Sequence, residues 1–425
     1  MDLTLTPAQR DLTRLAYRLA TERFAARAEK YDREASFPYE DFHDLREAGL
    51  LALCVPREHG GLGAGFETYC LVAEQLARGN ASTALMYNMH CTTLLMMGEI
   101  ADRMPLAPAA RAAHERRRAA LFREVVDRGV VYGQPHSEPV ERGEADRLRV
   151  GGRRFGTRAR RVDGGYVVTG RKFFVSLAGA ADYYATPALL EGPEPWVDRT
   201  LYLSVARDAP GVEFQGDWDP MGMRATVSRD MVLTGVFVPE ERSLLPPGGF
   251  GALYDSFPHG ALSFSATFLG LMQAAYDFTL AYLTGRVPGG PGLQAEAPAK
   301  GYAVAQMLFT LEAARALFYR SISECRLDPP EEVEQRARAA HVLIQRGVVE
   351  LTGEAIRVCG GRAMLKRYPL ERYARDARAA ALMRPWTQDI ATQQAWEVAL
   401  GIGPAAPRGA AGVPAAGGGP AAGAG

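Results

Sequence analysis

The sequence predicts an α+β chain in three parts: an N-terminal helical domain, a middle β-barrel-like domain and a C-terminal four-helix bundle. Three observations carry this. Apolar residues recur at helical spacing over residues 6–120. Residues 130–245 switch to short, partly alternating runs separated by Gly, Pro or Asp. Long helical periodicity then returns over residues 252–402. The domains read from these changes are 1–125, 126–245 and 246–402. Residues 403–425 form a tail in which 21 of 23 residues are Gly, Pro or Ala, so almost nothing can be buried and disorder is expected.

The elements follow in order. The first helix opens with Thr6 as cap and Pro7 in its first turn, with Leu12, Leu15, Ala16, Leu19 and Ala20 on one face. A second helix is expected near Tyr39–Ala48, ended by Gly49. The glycine-rich loop VPREHGGLGAG comes next, then helices over Phe66–Ala77 and Ser82–Met97. The last of these is apolar almost all round, which predicts burial. In the middle region Asp163-Gly164-Gly165 marks a hairpin turn. YLSVARD, VEFQGDWD and SRDMVLTGVFVP read as further strands. Four more helices are expected over Ala261–Leu283, Ala297–Cys325, Glu331–Cys359 and Trp386–Gly401.

Composition narrows the function. There are 49 basic and 49 acidic residues, a formal net charge of zero that excludes a strongly basic nucleic-acid binder by bulk charge. Five cysteines without a CxxC pair suggest neither a zinc site nor a disulfide scaffold, and no metal is expected. No run of 18 apolar residues occurs, so no membrane span is expected, and the start has no signal-peptide pattern. A cytoplasmic location is the expectation.

Several segments resemble the acyl-CoA dehydrogenase superfamily, in the right order over nearly all of residues 5–400. They are VPREHGGLGAG, Ser137-Glu138-Pro139, GYVVTGRKFFVS, MGMRATVSRDMVLTGVFVP and RVCGGRAMLKRYPLERYARDARA. The resemblance implies a flavin-dependent oxidoreductase with FAD between the β domain and the C-terminal bundle. It puts Phe174 where an aromatic packs on the isoalloxazine and Ser176 near N5 and O4 of the ring. Tyr132 and Ser137 fall on the pyrimidine side. Arg286 matches an arginine on the FAD pyrophosphate, and Gly360 and Gly361 match glycines at the adenosine half. Arg224 and Thr226 would fix a loop near flavin or substrate. A homodimer or homotetramer is also implied.

The pattern breaks at the catalytic base. Removal of the proton α to a thioester carbonyl needs a carboxylate within hydrogen-bond reach. The common family position lies nine residues beyond Arg375 and holds Arg384; the alternative position holds Gly260, with Ala261 beside it. Arginine stays protonated and is no ordinary base. His259, Asp255 and Asp389 are the nearby candidates for a displaced base, and His90, in the apolar helix, is a candidate pocket residue. The leading expectation is α,β-dehydrogenation of an acyl-CoA or acyl-carrier thioester, with electrons passed to an electron-transfer flavoprotein. The alternative is a flavin-dependent monooxygenase that takes reduced flavin from a flavin reductase and acts with oxygen on a small organic substrate. There His90 or Ser176 would hydrogen-bond the oxygenated flavin. A non-enzymatic flavin-holding protein is the third reading.

Overall fold

The computed structural model of the chain describes residues 5–138, 156–291 and 298–402. The 403–425 tail, Pro139 and the side chain of Asp255 lie outside the described residues.

The chain enters α1 (Pro7–Leu19) through a reciprocal cap. Gln9 N donates to Thr6 Oγ1 at 3.2 Å and Thr6 N to Gln9 Oε1 at 2.9 Å, satisfying two donors at the helix start. A π-turn at Ala20–Phe24 leads into α2 (Ala25–Glu34). Then come α3 (Tyr39–Glu47), the glycine-rich loop, α4 (Phe66–Ala77) and α5 (Ala81–Leu95). α5 is buried on every face except at Thr92, as its composition predicts. It stops short of the expected Met97: a π-turn at Met96–Ile100 contains Gly98 in a non-helical conformation. α6 (Pro108–Arg128) completes the N-terminal helices.

The middle sheet holds β1 (Tyr132–Gly133), β2 (Arg158–Val162), β3 (Gly165–Val175), β4 (Tyr183–Leu190), β5 (Thr200–Ala206), β6 (Val212–Gln215) and β7 (Arg229–Pro239). Its order is β1-β4-β2-β3-β7-β6, with β5 on the other edge of β4, in a curled half-barrel. The β2–β3 hairpin turns at Asp163-Gly164, where Gly164 has φ +74°. β3 and β7 pair antiparallel along most of their length, but the register shifts between Lys172 and Val175. That bulge shapes the site described below.

The C-terminal bundle contains α7 (Gly249–Ser256), α8 (Ser263–Leu283), α9 (Pro298–Ser323), α10 (Glu331–Cys359), α11 (Leu370–Ala377) and α12 (Gln388–Ala399). α10 is the centre, packing on α8, α9, α11 and α12. α8 also crosses α4 of the N-terminal part. Gly270 makes the crossing possible, since a Cβ there would lie 2.1 Å from Glu74 O. α8 begins at Ser263, not at the expected Ala261, because Pro258–Leu262 forms a 3-10 turn that carries His259.

Candidate active site

The end of β3 gathers several of the expected residues. At the bulge Phe174 takes φ +52° and the residue is 67% exposed. Non-glycine residues in this region are uncommon, and an exposed aromatic there is a feature to explain. Two residues on, Ser176 is buried. Past the strand, Leu177 N donates to Thr226 O at 3.0 Å and Ala178 N to Val227 O at 3.2 Å. This joins residues 176–178 to the turn Arg224–Thr226. Side chains follow the backbone: Ser176 Oγ is 2.9 Å from Ser228 Oγ, and Ser228 Oγ is 2.8 Å from Thr226 Oγ1. Thr226 Oγ1 donates to Met223 O at 2.8 Å.

The loop bearing Thr226 is held from three sides. Arg224 Nε donates to Asp32 O at 2.8 Å and its Nη1 to Pro220 O at 2.8 Å, while the guanidinium also pairs with Asp219. Trp218 Nε1 donates to Arg224 O at 2.8 Å. Met223 N donates to Asp376 Oδ1 at 2.5 Å. Gly222 lies so close to α11 that a Cβ would sit 2.3 Å from Arg375 O. Burial pushes the Asp376 carboxyl up to about 6, although the Met223 N–H and nearby Arg372 favour its charged form.

Tyr132 and His90 meet where β1 packs on α5. Tyr132 N donates to His90 Nδ1 at 3.2 Å, and His90 Nε2 lies 2.7 Å from Leu51 O. Both nitrogens are therefore engaged by backbone. Burial lowers the imidazole to about 4, so it is neutral and clamps α5 to β1. Ser137 O accepts from Phe173 N at 3.0 Å, which ties the entry segment to β3. The next residue, Glu138, ion-pairs with the fully buried Lys172 and accepts from Thr157 Oγ1 at 2.7 Å. Lys172 Nζ also donates to Pro187 O at 2.8 Å.

The candidate bases are dispersed. Arg384 is exposed and precedes a cis proline, Pro385. Asp389 is exposed in the first turn of α12, behind the Thr387 cap, where a carboxylate suits the helix dipole. Gly260 and Ala261 sit in the 3-10 turn without a titratable group. His259 is fully buried, and neither ring nitrogen has a hydrogen-bond partner among the described residues. Burial, helped by the positive charge of Arg326, lowers it to about 4.

Arg286 is exposed beyond the end of α8, with Nε donating to Thr284 Oγ1 at 2.9 Å. Its loop reaches the turn after α10 through Tyr368 Oη, which donates to Pro288 O at 2.8 Å. Gly360, with φ +81°, and Gly361 open that turn, and an added Cβ at either would meet none of the described residues within 4 Å. Ser228, Asp32 and Asp376 are the contributors that sequence reasoning missed. Ser228 and Asp376 lie inside two of the matched segments, but nothing local marks them out; Asp32 had no signal, since its partners lie far away in the chain.

Three segments match the acyl-CoA dehydrogenase domains: the N-terminal domain over residues 6–130, the middle domain over 152–236 and the C-terminal domain over 248–384. The chain is 31% identical over 368 residues to YdbM of Bacillus subtilis, an acyl-CoA dehydrogenase by name, covering 85% of this chain and 90% of that one. It is 30% identical over 411 residues to the amino sugar nitrososynthase DnmZ of Streptomyces peucetius, covering 93% and 94%. The structure of KijD3 with FMN and dTDP-3-amino-2,3,6-trideoxy-4-keto-3-methyl-D-glucose superposes with a TM-score of 0.76 at 28% identity, covering 94% and 95%.

KijD3 corrects the cofactor. The resemblance implies FAD, with Arg286 at its pyrophosphate and Gly360 and Gly361 at its adenosine half, whereas this relative holds FMN. FMN ends in a single phosphate, so it presents neither pyrophosphate nor adenosine to those residues. With all three domains matched and two relatives aligned over most of their length, the chain belongs to the acyl-CoA dehydrogenase family of flavin-dependent oxidoreductases.

Proposed function

We propose that this protein is an FMN-dependent monooxygenase that receives reduced FMN from a separate flavin reductase and oxygenates a small organic substrate. An amino sugar carried on a nucleotide is the first class to try, after DnmZ and the ligand of KijD3. The observation that carries this reading over thioester dehydrogenation is the lack of a carboxylate at both base positions, Arg384 and Gly260. His259, beside the second position, is neutral but held near 4, a poor match for removing a carbon-bound proton at neutral pH. Oxygen transfer needs no such base. Bound reduced flavin would supply two electrons, so that one atom of O2 enters the substrate and the other leaves as water.

This chain's residues have simple parts in that reading. The exposed Phe174 ring offers a flat apolar surface to the isoalloxazine, and Ser176 a hydroxyl to its polar edge. Tyr132 and Ser137 belong to the segment on the pyrimidine side. Arg286 is the candidate for the single phosphate, since arginine forms strong charge-assisted bonds to phosphate oxygens. The test combines two assays. With reduced FMN in air, an oxygenated product should form only from an amino-sugar nucleotide or another amine of a panel, beyond the peroxide that free reduced FMN gives with oxygen on its own. Under anaerobic conditions acyl-CoAs should leave the oxidised flavin band unchanged. Bleaching by an acyl-CoA with an enoyl product would overturn the proposal in favour of dehydrogenation.

A further inference from the structure

The three hydroxyls at the end of β3 form a chain whose hydrogens can be assigned by counting. Thr226 gives its one hydroxyl hydrogen to Met223 O at 2.8 Å. The 2.8 Å contact between Thr226 and Ser228 then requires Ser228 to donate. That spends the one hydrogen of Ser228, so the 2.9 Å contact between Ser228 and Ser176 requires Ser176 to donate. The chain runs one way, from Ser176 inward to a backbone carbonyl. Ser176 Oγ is left with lone pairs only. All three residues are buried, at 8%, 7% and 1% exposure, so water is a poor substitute partner and the direction is held.

We propose that this relay makes Ser176 a hydrogen-bond acceptor only and so biases the site toward reduced flavin. The inference rests on the reading of Ser176 as a contact of the flavin N5 edge. Reduced isoalloxazine carries a hydrogen on N5; the oxidised ring presents a lone pair there. An acceptor at that edge bonds the reduced ring and opposes the oxidised one. A serine free to rotate would donate to the oxidised ring just as well. The preference is therefore set by Thr226 and Ser228, which act as positioning residues behind Ser176. The bias suits a protein that must capture reduced FMN made elsewhere and let it go once oxidised.

Anaerobic titrations with oxidised FMN and with dithionite-reduced FMN test this on the full chain. Thr226→Val deprives Ser228 of its acceptor, and Ser228→Ala deprives Ser176 of its own. In either variant Ser176 regains a hydrogen to offer. The ratio of oxidised to reduced Kd should fall about tenfold in each, equivalent to a fall of about 30 mV in the two-electron potential of the bound flavin. Thr226→Ser, which keeps the hydroxyl, should retain the wild-type ratio. Two variants that bind FMN with an unchanged ratio would overturn the relay and leave the flavin site standing. A wild-type protein that binds FMN in neither state would instead overturn the flavin reading, and the relay with it.

Discussion

Arg375 on α11 grips Asp32 on α2 with both terminal nitrogens, Nη1 to Oδ1 at 3.0 Å and Nη2 to Oδ2 at 2.6 Å, across 343 residues of sequence. The same guanidinium donates from Nε to Glu371 at 2.7 Å and from Nη1 to Met221 O at 2.9 Å. Burial works against its charge, but the hydrogen bonds to Glu371 and Asp32 outweigh that and hold its pKa above the ordinary arginine value. Asp32 in turn presents its backbone carbonyl to Arg224. One ion pair thus ties a helix from each helical part to the loop that carries Thr226. Arg375→Met should lower stability by about 2 kcal/mol, since hydrogen bonds to charged groups contribute more than neutral ones. It should also weaken FMN binding, because the loop loses its anchor. Urea melts and flavin titration check both. A variant with wild-type stability would show the clamp to be ornamental.

Lys172 predicts a larger loss. It is fully buried, and burial lowers its pKa to about 8 against the favourable charge of Glu138. Lys172→Met would leave the Glu138 carboxylate without its cation in a largely dry site. Removing one member of such a pair costs about 3–5 kcal/mol. Glu138→Gln should cost less, because the amide oxygen can still accept from Thr157 and Lys172, the buried amine can shed a proton that burial already loosens, and only the Gly156 N–H loses its acceptor. Equal losses in the two variants would contradict this order.

Arg286 separates phosphate binding from ring binding. If it holds the FMN phosphate, Arg286→Ala should raise the Kd for FMN about tenfold and leave riboflavin affinity unchanged. Parallel titrations with the two ligands decide. An equal effect on both would assign Arg286 to the fold of its loop instead.

Local patterns in the sequence carried the regular elements furthest. The helices Phe66–Ala77 and Glu331–Cys359 start and stop where periodicity, glycine and proline say they should. The helix ending before Met96 and the 3-10 turn at Pro258 were not legible, because each depends on what packs against it. The site divides the same way. Phe174, Ser176 and Thr226 stood out through their family segments. Ser228 shares the segment of Thr226, but its role arises only when the end of β3 closes on the turn after Met223. Asp32 and Asp376 reach that turn from far away in sequence, and no window of neighbouring residues contains the information. His259 stands in the sequence as a candidate displaced base, and the packing of its turn on α10 and α8 buries it.

His90 and His259 give the sharpest contrast in stability. Burial holds both near 4 in the folded protein, against about 6.5 in an unfolded chain. Between those values the unfolded chain binds more protons, so each histidine costs stability as the pH falls from about 6.5 toward 4. Asp41 and Asp376, raised to about 6, work with the opposite sign over a similar window, so each variant must be compared with wild type at the same pH. His90 bonds Leu51 O and Tyr132 N, and His90→Phe would strand both backbone groups, a loss of about 1–3 kcal/mol at pH 7.5. His259 has no partner among the described residues to strand. His259→Phe should be neutral or stabilising at pH 7.5, and its advantage should grow at pH 5, where the wild-type imidazole resists protonation. Urea melts at the two pH values read this directly. A clear loss of stability in His259→Phe at pH 7.5 would mean that the ring has a polar partner in solution, and would restore it as a candidate for chemistry on the substrate.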